Sequence, residues 1–386
     1  MNARACIAGA FEHPGRHLPE RSLAQLHADV ALGALADAGL TLSDVDGYLS
    51  TPDVPGLGLI SMADYLGLAN LNYTDTTDTG GSAYIAHVGH AAMAIDAGLC
   101  SVVLVTMIGK SRTSGGPAMP SGYMLAPEIN FEWPFGSTIV AEYALATRRH
   151  MHEFGTTSEQ LAEVKVAASK HAAHNPNAFL RDEVSAETVM ASPIIADPLH
   201  RLDCCINTDG GGALVIVAPE IARELNSERC VPILGHASAI KASYGGHIDL
   251  TSTAAIQSGP RAYEMAGVAP GDIDYVGLYD SFTITVLMQL EDLGFCKKGD
   301  GGPFVASGAL RAGTGELPTN TDGGGLCNSH PGARGGMPKL IEAVRQLRGE
   351  AIPEVQVRGC DLALVNGTGG SIGTRMGSAT AILGRR

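Results

Sequence analysis

Apolar residues recur at helical spacing over residues 23–38, with Leu26, Val30, Ala34 and Leu35 on one face and Gly39 as the stop. Residues 5–11 before them read as a short buried strand, followed by a His/Pro/Arg-rich loop to Ser22. Residues 74–82 are polar and glycine-rich and lead into a helix over 83–97 that is almost without charge. A buried-type strand over 101–107 follows. A helix apolar on every face belongs in the middle of a structure, with layers on both sides. Its first turn offers backbone amides to the Gly80-Gly81-Ser82 bend. Further strands are expected at 213–218, 232–238, 274–278 and 362–366, and helices at 139–154, 158–174, 219–225, 284–293 and 337–347.

One segment occurs twice. Ala38-Gly39-Leu40-Thr41-Leu42-Ser43-Asp44-Val45-Asp46 is matched 228 residues later by Ala266-Gly267-Val268-Ala269-Pro270-Gly271-Asp272-Ile273-Asp274. Each copy has a helix end, a glycine stop, a capped turn and an Asp-aliphatic-Asp entry to a strand, which is best explained as one αβ unit used twice. The later order of bend, helix and strand also repeats. The expectation is an α/β protein with a pseudo-duplicated αβαβα layered fold, an N-terminal half over 1–228 with a loop insertion over about 109–200, and a C-terminal half over 229–386.

A chain of 386 residues exceeds the usual range of one hydrophobic core, which agrees with two related halves. The 49 glycines cluster at 80–81, 210–212, 323–325, 335–336 and 367–370 without a period, so tight strand-to-helix turns and close backbone approach are expected rather than collagen. A formal net charge of −14 makes nucleic acid and anionic membrane poor general partners, although a local basic cluster suffices for an anionic acyl-coenzyme A. Eight cysteines without a CxxC pair, no signal peptide at the N-terminus and no bilayer-length apolar segment point to free thiols in the cytoplasm. Residues 109–136 hold the only tryptophan in a long irregular stretch, a candidate lid or pocket insertion or an interface loop.

The motifs that carry chemistry exclude some classes. There is no GxxxxGK[ST], and the glycine-rich 367–373 segment does not open a βαβ unit as a dinucleotide site requires. His87 and His90 stand three apart on the central helix and read as core or interface histidines rather than metal ligands. No lysine stands alone in an apolar strand beside the glycine-rich loops, which argues against a Schiff-base aldolase. Tyr279 lies where a predicted strand ends and an apolar helix begins, the usual ligand position in open α/β folds. A phenol there can move a proton or simply pack, and Ser281 or Thr283 can cap the helix. His330, in Asn328-Ser329-His330-Pro331-Gly332, sits in a shaped loop suited to proton donation or to stabilising an oxyanion.

These segments resemble the thiolase superfamily, and within it the sterol-carrier-protein-x or lipid-transfer-protein branch that includes acyl-CoA aldolases acting on steroid side chains. The likeness runs over nearly the whole chain, through Asp44 to Gly47, Gly80 to Gly98, Leu202 to Gly210, Tyr279 to Cys296, Asn320 to Gly324 and Asn366 to Gly370. The resemblance implies a thiolase-like fold and a coenzyme A thioester substrate. It places Gly81, next to Ser82, where such enzymes carry their reactive cysteine, and Asn366-Gly367 in the region of the second one. A covalent acyl-cysteine route is therefore poorly supported. Tyr279 matches a Tyr-Asp-x-Phe-Thr motif whose tyrosine is catalytic in the aldolases, and His330 matches the family's Gly-His-Pro turn.

The resemblance thus implies retro-aldol cleavage of a β-hydroxyacyl-CoA. Tyr279 would handle the hydroxyl proton, and His330 with backbone amides near Gly81-Ser82 or Gly369-Gly370 would stabilise the enolate oxygen. Two other readings stand beside it: an acyltransferase using Ser82, and a non-catalytic acyl-CoA- or lipid-binding subunit. No resident cofactor or metal is expected in this chain. The family likeness implies a homodimer and a small OB-fold, zinc-ribbon partner subunit. Tyr123, Met124, Phe131 and Trp133 are candidates to line an apolar acyl pocket.

Overall fold

The computed structural model describes residues 4–115, 129–136, 138–225, 228–242, 248–332 and 334–385. Along them run β1 (Cys6–Glu12), β2 (Gly47–Leu49), β3 (Tyr73–Asp75), β4 (Val102–Lys110), β5 (Ile194–Ala196), β6 (Leu199–His200), β7 (Asp209–Val217), β8 (Val231–Lys241), β9 (Tyr275–Leu278), β10 (Leu362–Ser371) and β11 (Thr374–Gly384). Strands β5 and β6 pair separately, and the other nine are ordered β3-β2-β4-β7-β1-β8-β11-β10-β9. The junction between β1 and β8 is short, with Cys6 opposite Pro232 and Ile7 opposite Val231. On either side of it the order reads the same way outward, because β8, β11, β10 and β9 take the places of β1, β7, β4 and β2.

The repeated segment shows why its residues recur. The Asp44 carboxylate accepts from Thr41 N at 2.8 Å, and Asp272 accepts from Ala269 N at 2.8 Å, so each closes a single 3-10 turn. The second aspartate of each copy anchors the neighbouring strand. Asp46 accepts from Ser101 N and Val102 N at the start of β4, while Asp274 accepts from Asp361 N and Leu362 N at the start of β10. Gly39 and Gly267 end the preceding helices, Leu23–Ala38 and Ala255–Ala266, at φ 72° and 73°, a left-handed cap that glycine adopts without strain.

Side-chain alternation sorts the layers. In β4, Val103, Val105 and Met107 face one core and Val102, Leu104 and Ile108 another. The first core holds the helices Ala83–Asp96 and Gly336–Arg348 between strands of both halves, including Leu214, Val365 and Ala381. The outer face of the first half is covered by Leu23–Ala38 and Leu59–Leu66. The outer face of the second is covered by Ala255–Ala266, Thr283–Asp292 and the helices Ile139–Phe154 and Ser158–His174, which lie between β4 and β7 in sequence. This is the αβαβα layering that the duplicated pattern implies.

Two glycine clusters differ from expectation. Glycines 210–212 and 367–370 lie inside β7 and β10, not in turns, so those strands begin earlier and end later than the apolar runs suggest. A Cβ at Gly211 would stand 2.0 Å from Met107 O, and one at Gly369 2.1 Å from Thr79 O. Close backbone approach, not chain reversal, demands glycine there. The irregular stretch after β4 is described only in part, and Tyr123 and Met124 lie outside the described residues. Its later portion is the short helix Ile129–Glu132 and the turn Trp133–Phe135, tied to β11 by Arg375 and Glu132 at 2.6 Å. Phe131 and Trp133 are 77% and 49% exposed, so in this chain alone they do not line a buried pocket.

Candidate active site

The polypeptide leaves β9 at Leu278 and turns into the helix Thr283–Asp292, placing Tyr279 at the sheet's carboxyl edge. The backbone there is fixed on two sides. Tyr279 N donates to Asn366 O at 2.9 Å in β10, and Tyr279 O accepts from Gln289 Nε2 at 2.7 Å. Gln289 Oε1 accepts from Asn366 Nδ2 at 2.8 Å, and Asn366 Oδ1 accepts from the Ser378 and Thr380 hydroxyls. A buried network in which each member is satisfied holds one conformation, and this one aims the phenol toward the His330 loop.

That loop is held from two directions. His330 N donates to Thr208 Oγ1 at 3.0 Å, and Arg16 donates to Asn328 O at 3.1 Å and Asn328 Oδ1 at 2.7 Å, with Glu12 2.6 Å behind the guanidinium. Its other anchor is Asp280, the neighbour of Tyr279, whose carboxylate accepts from Gly325 N at 2.8 Å and Leu326 N at 3.2 Å. Asp280 also pairs with Lys339 Nζ at 2.7 Å, and both side chains are 1% exposed.

Tyr279 Oη and His330 Nε2 thereby meet at 2.9 Å, with ring centroids 5.4 Å apart. Burial, with Cys205, Tyr143 and Asp280 nearby, pushes the phenol well above its usual range. Burial and the Lys339 charge pull His330 down to about 4. Both groups are therefore neutral near pH 7, a phenol and an imidazole able to pass a proton between them. His330 Nδ1 is buried without a hydrogen-bond partner.

Gly81 closes the arrangement from the first half. A Cβ built there would lie 2.5 Å from Tyr279 Cζ, 2.7 Å from Tyr279 Cε2 and 2.3 Å from Thr368 O. The position where a nucleophilic cysteine would project is thus filled by the tyrosine ring. Ser82 is fully buried, and its hydroxyl donates to Thr79 O at 2.8 Å and lies 2.9 Å from Thr79 Oγ1. Gly369 packs with its Cα against the 79–81 backbone, and Gly370 follows it in β10. Thr368 Oγ1, on the same strand, is buried and without a partner. Arg334 joins the halves across this region, paired with Asp78 at 2.5 Å and with Asp53.

Tyr279, His330 and Gly81 are brought together, whereas Ser82 is turned onto its own bend. Among the described residues no group of three or more His, Cys, Asp or Glu could hold a metal ion. Sequence reasoning gave no role to Asp280 and Asn366, although both lie in its motifs, and missed Lys339, Gln289 and Tyr143. Lys339 interrupts the apolar run Met337-Pro338-Lys339-Leu340-Ile341, the one signal in the sequence that could have found it. It is a buried lysine beside these loops, but on a helix, and its pairing with Asp280 raises its affinity for the proton. It is thus an ammonium rather than a Schiff-base amine.

Residues 237–385 match the family described as thiolase C-terminal domain-like. Over 368 residues the chain is 38% identical to a steroid side-chain-cleaving aldolase of Thermomonospora curvata, covering 90% of this chain and 91% of that one. It is 36% identical over 376 residues to the 17-hydroxy-3-oxo-4-pregnene-20-carboxyl-CoA lyase of Mycobacterium tuberculosis, covering 92% and 94%. A solved structure titled Ltp2-ChsH2(DUF35) aldolase superposes with a TM-score of 0.88 at 35% identity, covering 99% of this chain and 98% of that one.

Proposed function

The chain belongs to the thiolase superfamily, and from that premise we propose how its residues serve a carbon–carbon lyase that cleaves β-hydroxyacyl-CoA thioesters. The carrying observation is the Tyr279–His330 hydrogen bond packed against Gly81, an acid–base pair where a covalent nucleophile has no room. The substrate β-hydroxyl proton passes to Tyr279 Oη as the tyrosine's own proton moves to His330 Nε2. The electrons of the Cα–Cβ bond then flow into the thioester, leaving a carbonyl product and an enolate. The imidazolium formed at that moment lies beside the enolate, and backbone amides around Gly81-Ser82 and Gly369-Gly370 share its oxygen. Transfer of the His330 proton to Cα releases the shorter acyl-CoA and restores the neutral pair. Every step is proton transfer or charge stabilisation, so the scheme calls for no resident cofactor, and the coenzyme A thioester enters as substrate.

The acyltransferase reading finds less support. A cysteine at position 81 would overlap Tyr279, and the Ser82 hydroxyl is engaged with Thr79. We also propose that the chain works as a homodimer with a small DUF35-type subunit. The two-component aldolase that shares its fold over 99% of the chain supports the second part. For the first, β3 ends the sheet and leaves an edge open to pairing. No helix among the described residues is long and apolar enough to cross a membrane. Thiols without disulfides at Cys100, Cys204, Cys205, Cys296, Cys327 and Cys360 support a reducing cytoplasm.

The test is cleavage of a β-hydroxyacyl-CoA by the protein co-expressed with its small subunit. Tyr279→Phe should lower kcat by about 10²–10⁴-fold, the usual range for a lost general acid–base group. An undiminished rate overturns the assignment.

A further inference from the structure

Beneath the Tyr279–His330 pair lies a buried charge that the scheme above does not use. Lys339 projects from the central helix Gly336–Arg348 and meets Asp280 at 2.7 Å, with both side chains 1% exposed. A buried ion pair is a poor source of stability, because desolvating two charges offsets most of their attraction. Its retention at the floor of a reactive site calls for another reason.

The surroundings supply one. Asp280 is bonded in sequence to Tyr279, and its carboxylate grips Gly325 N and Leu326 N in the short turn Gly324–Cys327, three residues before His330. A Cβ at Gly325 would stand 2.9 Å from Asp280 Oδ1 and 3.0 Å from His330 Cδ2, so carboxylate and imidazole flank the same backbone. A Cβ at Gly324 would stand 2.2 Å from Asp280 Oδ2 and 3.1 Å from Lys339 Nζ, which places the ammonium against that turn as well. One carboxylate thus connects the tyrosine, the histidine-bearing turn and the lysine.

Resting on the lyase reading, we propose that Lys339 and Asp280 are a positioning pair that fixes which way the proton lies in the Tyr279–His330 hydrogen bond. Asp280 sets the approach of the two rings, and Lys339 opposes a second positive charge on the imidazole, so that Nε2 of the resting enzyme is free to accept. The groups facing His330 are Tyr279 beyond β9, Lys339 on the central helix and, across the Gly325 backbone, Asp280, whose charge Lys339 neutralises. Cys205, Tyr143 and Asp280 face Tyr279, while Asp280, Asp322 and Glu12 face Lys339. Burial and Lys339 both favour the neutral ring, and with Lys339 in place the paired Asp280 carboxylate does not counter them. Imidazolium then forms only when the enolate beside it supplies the compensating charge.

The sign follows. Removing Lys339 alone leaves the Asp280 carboxylate unneutralised near His330, which raises the ring's proton affinity most. Removing both charges raises it less. In the complex with the small subunit, the acid limb of the kcat profile should therefore move to higher pH in Lys339→Met, and by a smaller amount in the Lys339→Met, Asp280→Asn double variant. A structural role alone would lower the rate at every pH without displacing the limb, and an undisplaced limb in both variants overturns the proposal. Should neither variant fold, the wild-type complex carries the test through NMR titration of the His330 imidazole. A ring neutral down to pH 5 is expected, and one titrating at its ordinary value near 6.5 overturns the proposal. The lyase reading stands or falls separately, on the Tyr279→Phe rate.

Discussion

Residue 51 beyond β2 and residue 279 beyond β9 stand 228 positions apart and occupy the same place in the repeated unit. In the first half the residue is Thr51, whose hydroxyl lies 3.0 Å from Tyr84 Oη, a buried phenol on the central helix. In the second half it is Tyr279, whose partner is an imidazole from a loop. The two central helices diverge in the same sense. Ala83–Asp96 carries no lysine or arginine and one acid, at its last position, with His87 buried and His90 paired with Asp75, whereas Gly336–Arg348 buries Lys339 and Glu342. Burial and a neighbouring Asp322 raise the Glu342 carboxyl to about 7. A duplicated scaffold offers two strand ends facing the middle, but only one brings a tyrosine and a histidine into direct hydrogen-bond contact. The other contributes absence of bulk, in the form of Gly81.

This contrast can be broken from either side. The largest effect should come from the second half: His330→Gln keeps a polar side chain without the imidazole and is expected to lower kcat by about 10²–10⁴-fold, read in the same acyl-CoA cleavage assay. Retention of most of the rate would mean that the phenol acts alone. Next comes the first half. Gly81→Cys places a side chain into the Tyr279 ring and is expected to cost about 10²-fold through misplacement of the phenol. Mass spectrometry should find no acyl adduct at the new thiol. An adduct with transferase activity would show that the halves can exchange their chemical burden.

Acid stability is a smaller and more evenly shared effect. His27 and His87 in the first half, His171 between β4 and β7, and His330 are all held near 4 by burial. Their folded-state values lie below the unfolded value near 6.5, so the unfolded chain binds protons that the folded chain refuses. Stability should fall as pH drops from about 6.5 to 4, by roughly 1–3 kcal/mol per histidine. Denaturant melts at pH 7 and pH 5 measure it, and equal midpoints would contradict neutral burial. The smallest change is expected at the silent strand end. Thr51→Val leaves the buried Tyr84 hydroxyl without its partner and should cost about 1–3 kcal/mol of stability with kcat unchanged. A large loss of rate there would mean that both strand ends take part in the reaction.

Much of this was legible in the chain. The helix over 23–38, the uncharged helix after Ser82, the 228-residue repeat and the motifs around Tyr279 and His330 rest on local periodicity and spacing, which sequence carries directly. Less legible were the glycines of β7 and β10. Glycine at a turn and glycine under a crossing backbone look alike until the crossing chain is present. Lys339, although it interrupts an apolar run, was overlooked for a related reason, since a lysine on a helix ordinarily marks a solvent face and only Asp280 from another element makes its burial tolerable.

By itself the sequence determined a duplicated αβ protein of the thiolase superfamily in which a tyrosine and a histidine stand in loops and a glycine stands in the nucleophile's place. Only the tertiary structure decided that these are one site. Gly81, Tyr279 and His330 are separated by up to 249 residues, and their contact depends on a central helix meeting the strand end of the other half. The protonation states that make the pair useful are set by burial and by a lysine from a third element. Such effects act through space rather than along the chain, so no local pattern of residues records them.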